Sequence, residues 1–233
     1  MAASPPSAPR VASLDVTLTE PPETARAWQR MLSGRRLDLL DPSPLDVELS
    51  DIAHGLARVA RWNGQTVGDH AFSVAQHCLV VEEIFRRCNS KYSANDQQMT
   101  LLHDAPEYVI GDMISPFKAV VGGGYKLVEH RLEAAIHLRF GLPAHPTANL
   151  KSLIKKADCI AAYFEATELA GFSRGEAVKI FGQPRHITAD MLPLGPMPAT
   201  EAQRRFSERF EAIEQLRAQE PATKKTAGKA STP

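Results

Sequence analysis

Residues 101–107, Leu101-Leu102-His103-Asp104-Ala105-Pro106-Glu107, end an apolar run with a histidine and an aspartate side by side and a glutamate three residues on. One neutral imidazole nitrogen and one carboxylate oxygen together suit a borderline divalent metal. Glu107 stands one helical turn away, near enough to serve water bound to such a metal. Taken alone, the dipeptide reads as a surface pair at a helix end, because short motifs match by chance. The surrounding chain decides between the two readings.

Upstream, Asn95 or Asp96 is expected to cap the helix that runs into His103, with Pro106 ending or kinking it. A helix is predicted over about 70–88, capped by Asp69, with Phe72, Val74, Ala75, Cys78, Leu79, Val81 and Ile84 on a broad apolar face. His77 falls three residues after Val74 and four before Val81, on the same side. A lone histidine there is usually a satisfied core residue. Downstream, a helix over about 147–170 carries Leu150, Leu153, Ile154, Ala157, Ala161 and Phe164 and stops at Gly171. Asp158 lies on the edge of that stripe, where an acid is uncommon unless paired or metal-bound. Beside Lys155 and Lys156 it reads equally as a charged flank.

The remaining elements are also helical. Ala25–Leu32 reads as a short, weakly amphipathic helix ended by Ser33-Gly34, and Asp41-Pro42-Ser43-Pro44 is loop chemistry. Ser50 or Asp51 is expected to cap a helix with Ile52, Leu56 and Val59 or Ala60 inward. Arg61-Trp62 follows, and Asn63-Gly64 predicts a short hairpin or a sharp reversal. Gly122-Gly123-Gly124 is a flexible joint without the flanking residues of a phosphate loop. A helix over about 125–140 turns Val128, Leu132, Ala135, Ile136 and Arg139 to one side, leaving His130 and His137 as expected solvated positions. Residues 182–199 hold four prolines and form an irregular connection. Thr200 and Gln203 suggest a capping box before a helix over about 201–219 that buries Ala202, Phe206, Phe210 and Ile213. Beyond the possible hairpin no segment alternates as a strand, so the fold class is all-α.

Composition bounds the rest. With 233 residues, 43% of them hydrophobic, the chain suits one domain plus tails: a disordered or extended arm over 1–24, a domain over 25–220 and a basic tail over 221–233. Lys+Arg and Asp+Glu both number 27, which argues against a nucleic-acid polymer as partner. Cys78, Cys88 and Cys159 lack CxxC spacing and read as free thiols of a cytoplasmic protein, Cys78 and Cys159 as small buried hydrophobes. No apolar run approaches the roughly 18 residues of a membrane span, and residues 1–11 lack the apolar centre of a signal peptide. His54 and His70 stay unassigned and are not expected to join a second metal.

Joined, His77 on one helix, His103-Asp104 at the end of another and Asp158 on a third can converge as in bundle-core metal sites. Two imidazoles and two carboxylates suit one Co²⁺, Mn²⁺, Fe²⁺ or Zn²⁺ better than Ca²⁺ or Mg²⁺.

The order His77 … His103-Asp104 … Asp158 resembles the H…HD…D signature of the HD-domain metal-dependent phosphohydrolases. The closest resemblance is to the 5′-deoxynucleotidases of the YfbR-like group. It is carried by VAQHCLVV around His77, LLHDAPEYVIGD at 101–112, SPFK at 115–118 and IKKADCIAAYFEATEL at 154–169, and it covers about residues 50–170. It implies an HD-domain helical bundle, one divalent metal on His77, His103, Asp104 and Asp158, and a homodimer. It also implies catalysis by Glu107 together with Asp104, and substrate contacts from Arg61, Trp62, Asp112 and Lys118. Pro106 stands where the group carries a small residue.

The activity so implied is removal of the 5′-phosphate from deoxyribonucleoside monophosphates, with a deoxynucleotide as the partner. Rival readings are a deoxynucleoside triphosphate hydrolase on the same fold, a non-catalytic nucleotide- or partner-binding module, and a structural metal bundle.

Overall fold

The computed structural model describes residues 27–114 and 124–220. The expected arm over 1–24, the basic tail over 221–233, Gly122, Gly123 and Lys118 with its Ser-Pro-Phe-Lys loop lie outside the described residues. The described residues form eight α-helices and one two-stranded hairpin. No described helix is long and apolar enough to cross a membrane.

The hairpin opens the fold. Strand β1 (Trp28–Arg30) pairs antiparallel with β2 (Arg36–Asp38), Gln29 opposite Leu37. The helix expected over Ala25–Leu32 is therefore replaced by a strand where the residues are described. Tertiary contacts explain why. Ser33 at the turn donates its backbone N–H (2.9 Å) and its hydroxyl (2.5 Å) to the two oxygens of Asp51. The Arg30 and Arg36 guanidiniums lie 5.5 and 4.6 Å from the Trp28 ring centre. A short, weakly amphipathic segment yields to such anchors even though it is rich in helix formers, because so short a helix is marginal without packing. Asp51, an expected cap, is thereby occupied, and helix α1 (Leu49–Leu56) starts at Glu48 without a side-chain cap.

The turn at Asn63-Gly64 forms, but its flanks pair only as an isolated bridge between Ala60 and Ser73. Arg61 N–H donates to the Phe72 carbonyl at 2.8 Å and Val74 N–H to that of Val59 at 2.9 Å. This pairing keeps 70–73 extended, so helix α2 (Val74–Cys88) begins later than Asp69 would start it. Ser73 caps it in a reciprocal box with Gln76. Helix α3 (Ala94–Leu101) likewise takes its cap from Ser93, boxed with Asp96, ahead of the expected Asn95 or Asp96. Pro106 opens the short helix α4 (Glu107–Ile110), leaving His103-Asp104 in the turn between α3 and α4.

Helix α5 (Gly124–Arg139) ends at Gly141, whose φ of +66° suits glycine. Helix α6 (Ala148–Glu168) is capped by Thr147. Helix α7 (Arg174–Phe181) was not expected, although Ser173 and Glu176 form a full capping box before it. Residues 182–198 are irregular apart from a 3₁₀ turn at Ala189–Met191. Helix α8 (Ala199–Gln219) starts after Pro198 without a side-chain cap, earlier than the Thr200–Gln203 box would place it. The fixed φ of proline suits the residue that enters a helix.

Helix α2 is the central beam: it packs on α3, α6 and α8, while α1 packs on α4 and α8. Its Val74, Val81, Ile84 and Phe85 are fully buried, each contributing roughly 1.5–3 kcal/mol by removal from water. Phe206, Phe210 and Ile213 of α8 close the core as expected. His137 is buried rather than solvated, because its Nδ1 meets the Ala144 carbonyl at 3.0 Å in the loop that folds back over α5. Of the cysteines, Cys78 is buried but Cys159 only partly, at a cavity wall.

Candidate active site

His77 leaves the first turn of α2 and is completely buried. Its Nδ1 lies 2.5 Å from Oε1 of Glu165 on α6. Burial opposes charge on Glu165, but His77, Arg61 and the Trp62 N–H outweigh it and hold the acid at about 2. An ionised carboxylate only accepts, so Nδ1–H donates to it and Nε2 points the other way. His103 repeats the device: its Nδ1 donates to the Thr100 carbonyl at 3.0 Å, one turn back in α3. Both Nε2 atoms are buried without a hydrogen-bond partner.

The two imidazole rings lie 5.3 Å apart. Around them stand the carboxylates: His77 Nε2 is 3.4 Å from Asp104 Oδ2 and 3.4 Å from Asp158 Oδ1, and His103 Nε2 is 3.3 Å from Asp104 Oδ2. One ligand atom each from His77, His103 and Asp158 lie within 4.8 Å of one another. Such separations exceed the usual N–H···O range of about 2.7–3.2 Å. They match the edge of a tetrahedron with metal–ligand bonds of about 2.1 Å, which is about 3.4 Å. Paired orphan nitrogens, fixed tautomers and this spacing fit a divalent cation.

The electrostatics agree. Burial works against charge on His103, but the Asp104 carboxylate dominates and lifts it to about 10. For His77, burial and Arg61 oppose the proton, yet Glu165, Asp104 and Asp158 raise it well above the usual histidine range. Asp104 and Asp158 are held low despite burial, Asp104 chiefly by His103 and Asp158 chiefly by His77. Groups that hold protons this way hold a cation in the same place, with the protons released.

Two cavities meet at this cluster. One, of about 430 Å³, is lined by Arg61, Trp62, Asp112, Phe172 and Phe181. The other, of about 610 Å³, runs along α5 past His130 and Glu133. Asp104, Glu107, Lys155 and Asp158 line both. Glu107 is 2% exposed at the start of α4. That helix is pressed against α1: a Cβ on Gly55 would sit 2.8 Å from both Cβ and the carbonyl oxygen of Tyr108.

Arg61 and Trp62 lie in a 3₁₀ turn where Trp62 and Asn63 have φ of +57° and +50°, strained for residues with a side chain. Trp62 Nε1 donates to Glu165 Oε2 at 3.0 Å, and its ring lies 5.6 Å from Phe172 and 6.1 Å from Phe181. Arg61 Nη1 donates to Asp112 Oδ2 at 3.0 Å and Nε to Glu165 Oε2 at 3.4 Å. The structure thus brings together His77, His103, Asp104, Asp158, Glu107, Arg61, Trp62 and Asp112, and Lys118 lies outside the described residues. Glu165, Phe172 and Phe181 were missed in the sequence. Glu165 was legible as Asp158 plus seven, two helical turns along one stripe.

Residues 52–176 match the family of YfbR-like 5′-deoxynucleotidases. The chain is 55% identical over 188 residues to an uncharacterized protein of Rhodobacter capsulatus, spanning 81% of this chain and 96% of that one. It is 30% identical over 173 residues to the uncharacterized protein YfdR of Escherichia coli K12, spanning 74% of this chain and 87% of that one. The matched segment runs from α1 into α7 and contains His77, His103, Asp104, Glu107, Asp158 and Glu165, so the chain belongs to the YfbR-like 5′-deoxynucleotidase family, a membership that supports a phosphohydrolase of the HD type.

Proposed function

We propose that this protein is a metal-dependent phosphohydrolase that removes the 5′-phosphate from deoxyribonucleoside monophosphates. The observation that carries the reading is the pair of orphaned imidazole nitrogens facing two carboxylates where the two cavities meet. His77, His103, Asp104 and Asp158 would hold one Co²⁺, Mn²⁺, Fe²⁺ or Zn²⁺, which supplies Lewis acidity toward a phosphate oxygen and lowers the pKa of water.

The chain's own groups do the rest. The aromatic wall of Trp62, Phe172 and Phe181 suits the flat face of a base. Asp112, steadied by Arg61, faces the same cavity and accepts a sugar hydroxyl. Arg61 stays charged, because Glu165 and Asp112 outweigh the effect of its burial, and it offers guanidinium hydrogens to phosphate. Glu107, between the cavities, moves the proton of attacking water or of the leaving 5′-oxygen. A homodimer in the cytoplasm is part of the same reading.

The larger cavity bears on the triphosphate alternative. Apart from Asp104 and Asp158, which would hold the metal, its lining has three carboxylates (Glu107, Glu129, Glu133) against two lysines, Lys151 and Lys155. An acidic trough repels extra phosphates, which favours the monophosphate. The test is phosphate release from deoxynucleoside mono-, di- and triphosphates with Co²⁺, Mn²⁺, Fe²⁺ or Zn²⁺ added. Turnover of monophosphates, lost in Asp104→Ala with the helical circular-dichroism spectrum kept, is expected. Inorganic triphosphate or pyrophosphate as product, or no turnover with any metal, would overturn the reading.

A further inference from the structure

We propose that Lys155 on α6 is a phosphate-binding residue of this site, an inference that rests on the phosphohydrolase reading above. Lys155 stands three residues before Asp158, about one turn back along the helix. Its Nζ donates to Asp158 Oδ2 at 2.8 Å, while Oδ1 of the same carboxylate is the atom 3.4 Å from His77 Nε2. One oxygen of Asp158 thus faces the imidazoles and the other faces the ammonium. Lys155 is tied to the candidate metal cluster from just outside it.

Its place in the cavities is the second observation. Among the described residues, Asp104, Glu107, Lys155 and Asp158 line both cavities, and Lys155 is the one cation of the four. A phosphate held where the cavities meet is surrounded by carboxylates. Asp104 and Asp158 offset the two charges of a divalent cation, and Glu107 is a third acid. A phosphate monoester brings about 1.5–2 negative charges at pH 7. An ammonium at the junction supplies positive charge at that point.

Lys155 is also able to move, where Arg61 is fixed. The Arg61 side chain is mostly buried and already donates to Asp112 and Glu165. The side chain of Lys155 is 73% exposed, and its bond to Asp158 uses one of three ammonium hydrogens. So exposed a pair is weak, and the ammonium turns toward an arriving oxygen without disturbing the core. Lys156 stands beside Asp158 in the sequence as Lys155 does, but it lines neither cavity. The charged flank therefore divides into one lysine at the site and one away from it.

The test uses full-length protein loaded with Co²⁺. Titration calorimetry measures binding of orthophosphate, which needs no turnover, and phosphate release gives KM and kcat for deoxynucleoside monophosphates. Lys155→Met should weaken orthophosphate binding and raise KM by about 10–100-fold, the worth of a hydrogen bond to a charged group. Bound Co²⁺ should stay the same, as should inhibition by the deoxynucleoside, which has no phosphate. Lys155→Arg should restore most of the loss, and Lys156→Met should behave as the unaltered protein. The proposal is overturned if Lys155→Met binds orthophosphate as tightly as the unaltered protein, or if the unaltered protein binds none. It is also overturned if Lys155→Met loses Co²⁺ in step with phosphate, which would make Lys155 a positioning residue for Asp158 instead. Orthophosphate binding that depends on Lys155, without turnover of any monophosphate, would uphold the phosphate contact and refute the phosphohydrolase reading.

Discussion

His77 on α2 donates its Nδ1–H to Glu165 on α6 across 2.5 Å, in a site where neither side chain meets solvent. The second oxygen of Glu165 accepts from Trp62 and Arg61. One buried carboxylate therefore orients a candidate metal ligand and steadies two residues of the smaller cavity.

Glu165→Gln should weaken Co²⁺ binding by about 10–100-fold, the usual cost of losing the partner of a ligating histidine. It should also raise the KM for nucleotide, because a neutral amide cannot hold Arg61 and Trp62 as a carboxylate does. Glu165→Ala should in addition cost about 3–5 kcal/mol of stability by leaving Arg61 and His77 without their buried counter-charge. Metal titration, steady-state kinetics and thermal melts read the three effects. Unchanged metal affinity in both variants would refute the orienting role.

Glu107→Gln keeps the shape of the residue between the two cavities and removes its ability to take a proton. Turnover of deoxynucleoside monophosphates should fall by about 10²–10⁴-fold, with KM and bound metal nearly unchanged. A variant with normal kcat would assign the proton transfer elsewhere.

Gly55→Ala would normally help a helix by up to about 1 kcal/mol. Here the added methyl meets Tyr108 at 2.8 Å, backbone included. We expect a loss of about 1–3 kcal/mol instead, as in overpacked cores, and a drop in turnover because α4 carries Glu107. A melt at or above that of the unaltered protein would show that α4 moves aside freely.

Metal loading should depend on pH with a definite sign. Asp104 overcomes the effect of burial and raises His103 to about 10, so at neutral pH its ring holds a proton that a cation must displace. Apparent affinity should therefore rise with pH toward about 10, and binding at pH 7 should release protons. Titration calorimetry in buffers of different ionisation enthalpy measures the release. Equal apparent affinity at pH 6 and pH 8 would contradict it.

Most of the helices and the order of the four candidate donors were legible because each rests on local chemistry. Apolar residues recur at helical spacing in α2, α5, α6 and α8, and His77, His103-Asp104 and Asp158 stand at recognisable places on them. Boundaries were less legible. Asp51 and Asp69 look like caps in isolation, but Asp51 is claimed by Ser33 from eighteen residues away, and 70–73 is held extended by its bridge to 59–61.

The sequence by itself determined a helical bundle, through the period of its apolar residues, and, through its resemblance to a family signature, the H…HD…D order of the candidate donors. Only the tertiary structure decided what surrounds those donors. Glu165 beneath His77 and the aromatic wall of Trp62, Phe172 and Phe181 both join residues far apart in the chain. Such contacts depend on how helices pack and loops return, and no local pattern of residues encodes that distance.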